Sequence, residues 1–600
     1  MTQQIVDIGA GNKLPGVSTR IFLNSTGGTA GVSNKCLLFA YVGAGGLASP
    51  NVPFVALGKS QVDAQCKSWS MAAHMYAAAK SALPSGIGAD ITIVPLVEPS
   101  GGTKQTRKII FCGKPTGGVT STATAAAAAD TCTITFRGRG GSFGIAAGDT
   151  WATIATNAKA LLDAIPDLPV TVAISSETLT ASSRHKGLFD DGACSVDFAN
   201  AAASGCAASC GDITFTSTAG ASGTCSLRLG VAATSFAVTN ADTAIVSAGH
   251  CVTAIRADGY QNDAAVPAVP SDGVVTLYYV TGRPCRAITA SLGGGVTTQT
   301  VAAHCDTPGT GSPSVSSALD KLNGDEDAYK AWAAFFQDTT SLSATVTAIE
   351  NAEAAGTLEK GQMLFLCSTG SLADIAAAAL PASTTPAMTS SARYAVGYYQ
   401  GHPQAGWEIA ARCAAVVAAQ SNLNQNFNFF RLLTNSSVPF GVPHKADRAS
   451  RSDLNTAISS YFHFPLVVDS GGYNSILRSN TTYLAQGIDD RALEKWSCRI
   501  MFDFFRADSR ANLGLKFGTK SLKRFGSART TNVVTLDGIK AAVYSLISRW
   551  DKELDYFDGS EEVRDAILAS VLVSPNRVDV EFPYRCVRDI DQIVIAGIQS

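Results

Sequence analysis

Charged side chains are scarce in this sequence: 16% of its 600 residues are Asp, Glu, Lys or Arg, whereas soluble domains usually carry about 25%. The formal net charge is −2, and the mean hydropathy is +0.14. A near-neutral chain lacks the basic surface that nucleic acid requires, so no nucleic-acid partner is predicted. The low charge favours a protein whose surface is largely covered by copies of itself.

Long apolar runs are also missing. No run reaches the roughly 18 residues that a membrane-spanning helix needs, so no membrane insertion is predicted. The first residues, MTQQIVDIGAGNK, contain neither the basic region nor the apolar region of a secretory leader. We therefore expect a protein that is made and folded in a cytoplasm.

Motifs for metal or phosphate binding are absent as well. None of the 15 cysteines forms a CxxC pair, and the seven histidines do not lie near them at zinc-finger spacing. The glycines at 43–46 follow an apolar run, but no Lys-Ser/Thr follows them as in a phosphate-binding loop. No cofactor and no metal are predicted. Two interpretations of the cysteines remain open: they are small buried apolar residues, or they form disulfides once the protein is outside a reducing cell.

Apolar patterning predicts a mixed fold. An apolar run at 35–42, a helix ending near Lys80 and a second run at 91–97 give an α/β layout. Residues 114–315 are instead dense in Ala, Gly, Ser, Thr and Cys, with short alternating runs such as TCTITF. The predicted fold class is an α/β (α+β) core domain split by an inserted, outer β-rich region of one or two small modules. The predicted boundaries are an N-terminal arm at 1–24, core at 25–113, inserted modules at 114–315, core at 316–585, and a C-terminal linking strand at 586–600.

The second part of the core is predicted to be rich in helices. Residues 328–336, 342–355 and 489–505 have helical patterns, and WEIAARCAAVVAAQ at 407–420 predicts a buried helix. Thr535 stands at the start of a further amphipathic helix and is a candidate cap for it.

Between these helices lies a predicted β-hairpin. Two apolar runs, at 464–468 and 473–477, are joined by Asp469-Ser470-Gly471-Gly472. Paired glycines supply the positive φ angles that a tight turn needs. The turn is therefore predicted to be structural.

The same turn has an alternative interpretation as part of a trypsin-like serine protease. Asp-Ser-Gly-Gly surrounds the nucleophile of such enzymes, which would be Ser470, and IVSAGHC at 245–251 would supply the catalytic His250. However, Val468 and Tyr473 stand where those enzymes carry glycine and proline. His250 also lies in the inserted region whereas Ser470 lies in the core, so a non-enzymatic role is favoured.

Several short motifs follow one another in a distinctive order. After the WEIAARCAAVVAA helix and the hairpin comes ILRSNTTY at 476–483, and the chain later carries SPNRVDV at 574–580 and AGIQ at 596–599. The inserted region contains Gly-Asp-Thr at 148–150 before a helix, Leu-Pro at 168–169 and RHKG at 184–187. In this order the motifs resemble those of Mu-like contractile phage tail sheath proteins.

The resemblance implies a structural role in a virion. Such subunits polymerise as stacked hexameric rings around a tail tube, and they contract to drive the tube through the host envelope. The implied partners are other copies of the chain, the tail tube protein, and the baseplate and tail terminator proteins, with assembly in the host bacterial cytoplasm. No catalytic residue or cofactor is needed. Another self-assembling virion protein, such as a tube or capsid subunit, is the remaining alternative.

The resemblance also implies that the chain termini link subunits. The N-terminal arm and the C-terminal strand would each extend a sheet of a neighbouring subunit. The apolar residues expected to make this exchange are Ile593, Val594, Ile595 and Ile598. Candidate inter-subunit disulfides involve Cys586, beside the terminal strand, and Cys206 and Cys210, in a stretch of small residues expected to be exposed. Such disulfides would stabilise the extended state.

Overall fold

The structure is a computed structural model of the chain. It describes residues 34–83, 89–115, 121–187, 192–229, 232–257, 272–280, 283, 288–304, 306–323, 329–353, 361–372, 391, 393–419, 430–432, 440–460, 462–483, 495–517, 521–523, 532–570 and 579–581. Both predicted terminal segments, 1–24 and 586–600, lie outside these residues.

The chain first forms one end of a large sheet. Its elements there are β1 (Lys35–Tyr41), β2 (Phe54–Val55), α1 (Lys59–Cys66), α2 (Met71–Ser81) and β3 (Asp90–Leu96). The side chain of Ser70 accepts a hydrogen bond from the Ala73 amide and so caps the start of α2.

A long inserted region follows, defined here as residues 104–307. Its elements are β4 (Lys104–Gly113), β5 (Asp130–Phe136), β6 (Arg139–Ile145), α3 (Trp151–Asp163), β7 (Val170–Ser175), β8 (Thr178–Lys186), β9 (Cys194–Phe198), α4 (Ala201–Ser204), β10 (Cys206–Thr216), β11 (Gly223–Leu229), β12 (Ala232–Val238), α5 (Ala244–Ala257), β13 (Val274–Tyr278), β14 (Ile288–Gly293), β15 (Thr300–Ala303) and β16 (Asp306–Thr307).

The remainder returns to the large sheet and ends in a helical unit. Its elements are α6 (Ser316–Asn323), β17 (Ala331–Ala333), α7 (Thr339–Glu353), β18 (Met363–Ser368), β19 (Tyr394–Tyr398), α8 (Gly406–Ala419), β20 (Phe430–Arg431), α9 (Arg451–Ser459), β21 (Phe464–Val468), β22 (Asn474–Ile476), α10 (Trp496–Phe517), β23 (Ser521–Lys523), β24 (Val533–Thr535), α11 (Leu536–Lys552), α12 (Ser560–Val563), β25 (Leu568–Ser570) and β26 (Asp579–Glu581).

The large sheet has nine strands in the order β2-β3-β1-β17-β18-β19-β21-β22-β20. The strands from β3 to β21 run parallel, and antiparallel pairs stand at both ends. Parallel strands are usually covered on both faces and therefore lack polar alternation. This explains why LLFAY in β1 is entirely buried. Helices α2 and α8 pack on the sheet and against each other.

The prediction of a helix at 328–336 is wrong. Residues Ala331–Ala333 form β17, which lies between β1 and β18 near the middle of the large sheet. The register pairs Leu37 with Trp332 on one side and Trp332 with Leu364 on the other. A short, wholly apolar run suits a buried strand and a buried helix equally well, so its neighbours decide which forms.

The inserted region contains three sheets with one shared apolar core. Strands β4, β7, β8, β10, β13, β15 and β16 form a seven-stranded sheet, while β5, β6 and β9 and, separately, β11, β12 and β14 form three-stranded sheets. Helix α3 packs between β6 and β7, and α5 packs against β10, β12 and β13. Ile134, Leu162, Ile213 and Leu277 are among the buried residues that these sheets share.

One β-β-α unit occurs twice within this region. Antiparallel β5 and β6 lead into α3, and antiparallel β11 and β12 lead into α5. Each central strand also pairs with a later strand, β9 in the first unit and β14 in the second. The inserted region therefore contains two β-β-α units of the same topology around one shared apolar core.

The turns before the two helices are the same in detail. The Asp149 carboxylate accepts a hydrogen bond from the Ala146 amide at 2.7 Å, and the Asp242 carboxylate accepts one from the Thr239 amide at 2.7 Å. In each unit the residue just before the aspartate has a positive φ, which is +89° at Gly148 and +71° at Ala241. The two units therefore share the same turn conformation and the same aspartate hydrogen bond.

The C-terminal helices form a separate apolar cluster. Phe505 of α10 packs on Trp550 of α11 with ring centroids 4.4 Å apart. The Trp550 indole donates a hydrogen bond to the Asp508 carboxylate at 2.8 Å. Thr535 caps α11 as predicted, since its hydroxyl accepts a hydrogen bond from the Gly538 amide. Helix α10 continues to Phe517, beyond its predicted end at 505.

Candidate functional site

The hairpin of β21 and β22 is built around the Asp469 side chain. One carboxylate oxygen accepts hydrogen bonds from the amides of Gly471 at 2.8 Å and Tyr473 at 3.0 Å. Gly472 has a φ of +79°, the left-handed conformation that the glycine pair predicts. These bonds keep the pKa of Asp469 below its ordinary value. The aspartate therefore organises a tight turn, which is the structural role predicted for it.

The structure does not assemble the serine protease triad of the alternative interpretation. His250 lies in the middle of α5, a helix of the inserted region, with Nδ1 3.7 Å from an Asp242 carboxylate oxygen. Ser470 is exposed at the tip of a hairpin of the nine-stranded sheet. The two residues belong to separate packing units, and 245–251 forms a helix instead of the loop that a trypsin-like histidine occupies. The proposed pairing of His250 with Ser470 is thus wrong.

Two of the three cysteine candidates, Cys206 and Cys210, are among the described residues. Cys206 and Cys210, expected to be exposed, are 1% and 3% exposed in β10, so that expectation is wrong. The Cys210 thiol donates a hydrogen bond to the Leu277 carbonyl oxygen, and burial raises the pKa of the Cys206 thiol. Both cysteines belong to the apolar core that the sheets of the inserted region share. No disulfide links any two cysteines of the described ranges.

The remaining candidates belong to the predicted C-terminal linking strand, 586–600. Cys586 and the strand-exchange residues Ile593, Val594, Ile595 and Ile598 lie outside the described residues. Their roles stay predictions. Within the part of the chain that is described, no helix is both long and apolar enough to cross a bilayer, and no cluster of His, Cys, Asp or Glu has the arrangement of a metal site.

The best-defined polar site lies where the inserted region meets the nine-stranded sheet and its helices. We call this contact the seam. Arg137 and Arg139, in and beside the β5–β6 turn, approach Glu408 of α8, and the Arg139 guanidinium donates to its carboxylate at 2.8 Å. All three side chains are at most 5% exposed. Arg137 also stacks over Trp407, with its Cζ 4.7 Å from the ring centroid. The pair RGR is visible in the sequence, but nothing local identifies its partner.

A second ion pair and a backbone hydrogen bond extend the seam. Arg283 binds the Asp447 carboxylate through Nε at 3.2 Å and Nη2 at 2.6 Å. The Ala193 amide donates to the Pro403 carbonyl oxygen at 2.9 Å. The inserted region is thus held by buried, directional bonds, and these fix its orientation.

Two histidines complete the seam. His185 of β8 accepts a hydrogen bond at Nε2 from the Met71 amide at the start of α2, at 3.1 Å, and its Nδ1 lies 2.7 Å from the Glu98 carboxylate. His74 of α2 contacts the Asp167 carbonyl oxygen through Nε2 at 2.9 Å, and its Nδ1 lies 3.2 Å from Arg137 Nη2. An amide or a guanidinium can only donate, so each ring has one nitrogen that must accept.

The environment of both rings disfavours their charged forms. Burial lowers the pKa of His74 well below its ordinary value, and the positive charges of Arg139 and Arg137 lower it further. Burial also lowers the pKa of His185, although the hydrogen bond to Glu98 acts in the opposite direction. Both imidazoles are therefore neutral near pH 7.

The fold and the seam together define a mixed α/β protein that carries a duplicated β-rich insertion on a largely parallel sheet. No family model matches the chain, and no curated protein matches it.

Some solved structures match the chain with low sequence identity and low TM-scores. The chain is similar to the sheath tail protein of Desulfitobacterium hafniense, with 10% identity, a TM-score of 0.39, and coverage of 93% of this chain and 97% of that one. The sheath tail protein of Listeria innocua matches with 10% identity, a TM-score of 0.38, and coverage of 93% and 96%. The contracted helical sheath of the anti-feeding prophage matches with 15% identity, a TM-score of 0.32, and coverage of 47% and 74%.

Proposed function

We propose that this chain is the structural subunit of a contractile, Mu-like phage tail sheath. Copies polymerise as stacked hexameric rings around the tail tube, and the stack contracts to drive the tube through the host envelope. Its partners are other copies of the chain, the tube protein, and the baseplate and tail terminator proteins. It is assembled in the host bacterial cytoplasm, resides in the virion, and performs no catalysis.

The observation that carries the proposal is the order of the motifs along the chain. The helix GWEIAARCAAVVAA is α8, and all of its residues are buried. The glycine turn follows, and then ILRSNTTY, in which Ser479 to Thr482 are all at most 1% exposed. Gly148-Asp149-Thr150 forms the turn and cap that start α3. Each of these motifs therefore stands at a structurally defined point.

Contraction is a change between two packings of one subunit. The proposal assigns the links between subunits to the termini, through strand addition by Ile593, Val594, Ile595 and Ile598. A rigid subunit suits this role, because only the connections between subunits need to stay intact while the subunits slide.

Negative-stain electron microscopy of the purified full-length protein tests the proposal. Striated tubes or stacked rings are expected. Paired substitutions Ile593→Asp and Ile595→Asp should abolish tubes, because a charged side chain cannot be buried in a shared sheet. Ile245→Asp is the matched control: Ile245 is 48% exposed on α5, and its substitution should leave the tubes intact. Monodisperse single particles from the unmodified protein would refute the sheath.

Of the three candidate cysteines, Cys586 is the one proposed to form a disulfide between subunits. Cys206 and Cys210 are buried within the subunit and could reach another chain only if β10 opened. A bond through Cys586 would hold neighbouring subunits in the extended state, and reduction would allow contraction. Tubes imaged with and without reductant should then differ in length.

A further inference from the structure

The two seam histidines have a consequence that is independent of the assembly. Both bridge the inserted region and the core, and each uses one ring nitrogen to accept a hydrogen bond from a group that can only donate. Protonation puts hydrogen on both ring nitrogens and removes that acceptor. The bonds from the Met71 amide to His185 and from Arg137 to His74 therefore cannot coexist with a charged ring.

We propose that the seam is an acid-sensitive joint, which holds the inserted region against the nine-stranded sheet only while His185 and His74 are both neutral. Acidification opens the joint and frees the inserted region to move, while the large sheet remains folded. This inference goes beyond the sheath proposal and does not depend on it.

Three charged side chains act on His185, each from a different part of the chain. Glu98, which follows β3, favours the charged ring, while Arg137 of the β5–β6 turn and Lys104 of β4 oppose it. The Met71 amide stands at the positive end of α2, which also disfavours a cation there. The Tyr41 and Trp69 rings flank the imidazole, with centroids 5.6 Å and 5.7 Å away.

The surroundings of His74 are still more positive. Arg137 and Arg139 both lie near the ring, and His185 adds a third charge once it is protonated. Glu408 is already engaged by Arg139 at 2.8 Å, and the Asp167 carboxylate lies 3.8 Å from Arg139. A proton on either ring therefore increases the cost of the proton on the other.

The direction of the pH effect follows from linkage. Both pKa values are lowered in the closed seam, so the open seam binds more protons. Closure is then fully favoured above the ordinary histidine pKa of about 6.5 and is lost as the pH falls below it. With two such groups, the opening constant should rise up to about 100-fold per pH unit, and with one group about tenfold.

Native-state hydrogen exchange of the full chain measures this opening. The Met71 and Ala193 amides report on the seam, and the Leu38 amide in β1 reports on the large sheet. After correction for intrinsic exchange, opening at the seam should increase at least tenfold between pH 6.5 and 5.5, with Leu38 still protected. A seam that opens equally at both pH values, or a β1 that opens in parallel, would overturn the proposal.

Substitutions of the histidines identify which side chains take up the protons that open the seam. His185→Gln and His74→Gln together should abolish the pH dependence, and each alone should halve its slope on a logarithmic scale. His250→Gln is the control, since this histidine lies on α5 away from the seam, and it should leave the slope unchanged. A slope that persists in the double variant contradicts the proposal.

A measurement on the unmodified chain covers the case in which the double variant does not fold. Exchange of the imidazole carbon-bound hydrogen, followed by mass spectrometry, gives the pKa of each histidine separately. Values below the ordinary histidine pKa are expected for His74 and His185. A value at or above about 6.5 for both would overturn the proposal.

Discussion

Glu408 makes the strongest single test of how the inserted region is held. Its carboxylate lies 2.8 Å from Arg139 and 3.8 Å from Arg137, and its side chain is 2% exposed. Glu408→Gln keeps the shape and one hydrogen-bond acceptor but removes the negative charge. Two buried guanidinium groups then lose their main neutralising partner.

The expected cost follows from that burial. Breaking a buried ion pair by removing one partner typically costs about 3–5 kcal/mol, because the remaining charge is left without compensation. We take about 3 kcal/mol, because the amide of Gln still accepts from Arg139. At 1.4 kcal/mol per factor of ten, the seam should open on the order of 100-fold more often.

Hydrogen exchange of the Ala193 amide at pH 7.5 measures that opening, because this amide bonds to Pro403 across the seam. Glu553→Gln is the matched control, since Glu553 is an exposed glutamate at the end of α11; its effect should stay within about 0.5 kcal/mol. Adding Arg139→Gln to Glu408→Gln should recover part of the loss, because it removes one uncompensated charge. Equal exchange rates in Glu408→Gln and Glu553→Gln would refute the reasoning.

Three further outcomes are expected. Gly472→Ala should lower the free energy of unfolding by about 1 kcal/mol in thermal unfolding, because its φ is +79°. The added methyl group would have no packing partner within 4 Å to offset this backbone strain. Gly249→Ala, in the interior of α5, where the added methyl group meets no other part of the molecule within 4 Å, should be neutral or stabilising, and equal losses would contradict this. Asp242→Ala should cost about 1 kcal/mol at pH 7, because the turn loses the hydrogen bonds that this carboxylate accepts from Thr239. Its hydrogen bond from Thr239 lowers the pKa of Asp242, so the difference from wild type should shrink as the pH falls through that pKa; a constant difference refutes it. Cys586→Ser should remove any effect of reductant on tube length, and an unchanged reductant effect excludes this cysteine.

Much of the local structure could be predicted from residues close together in the chain. Alternating TCTITF gives β5, and the hydroxyls of Thr150 and Thr535 cap α3 and α11 as their positions indicate. The glycine pair gives the hairpin turn, with Gly472 in the left-handed conformation. These features depend on backbone sterics and on hydrogen bonds that span a few residues, so a single sequence contains the needed information.

Tertiary structure decided what local chemistry leaves open. The apolar residues Ala331–Ala333 form a strand because parallel neighbours stand on both sides of it, and Cys206 is buried because β10 contributes it to the core that the sheets of the inserted region share. Arg139 and Glu408 are 269 positions apart in the chain, yet they meet in the seam. Whether a charge is paired, a thiol is covered or a histidine is kept neutral depends on which distant segment lies against it, and only the folded chain determines that.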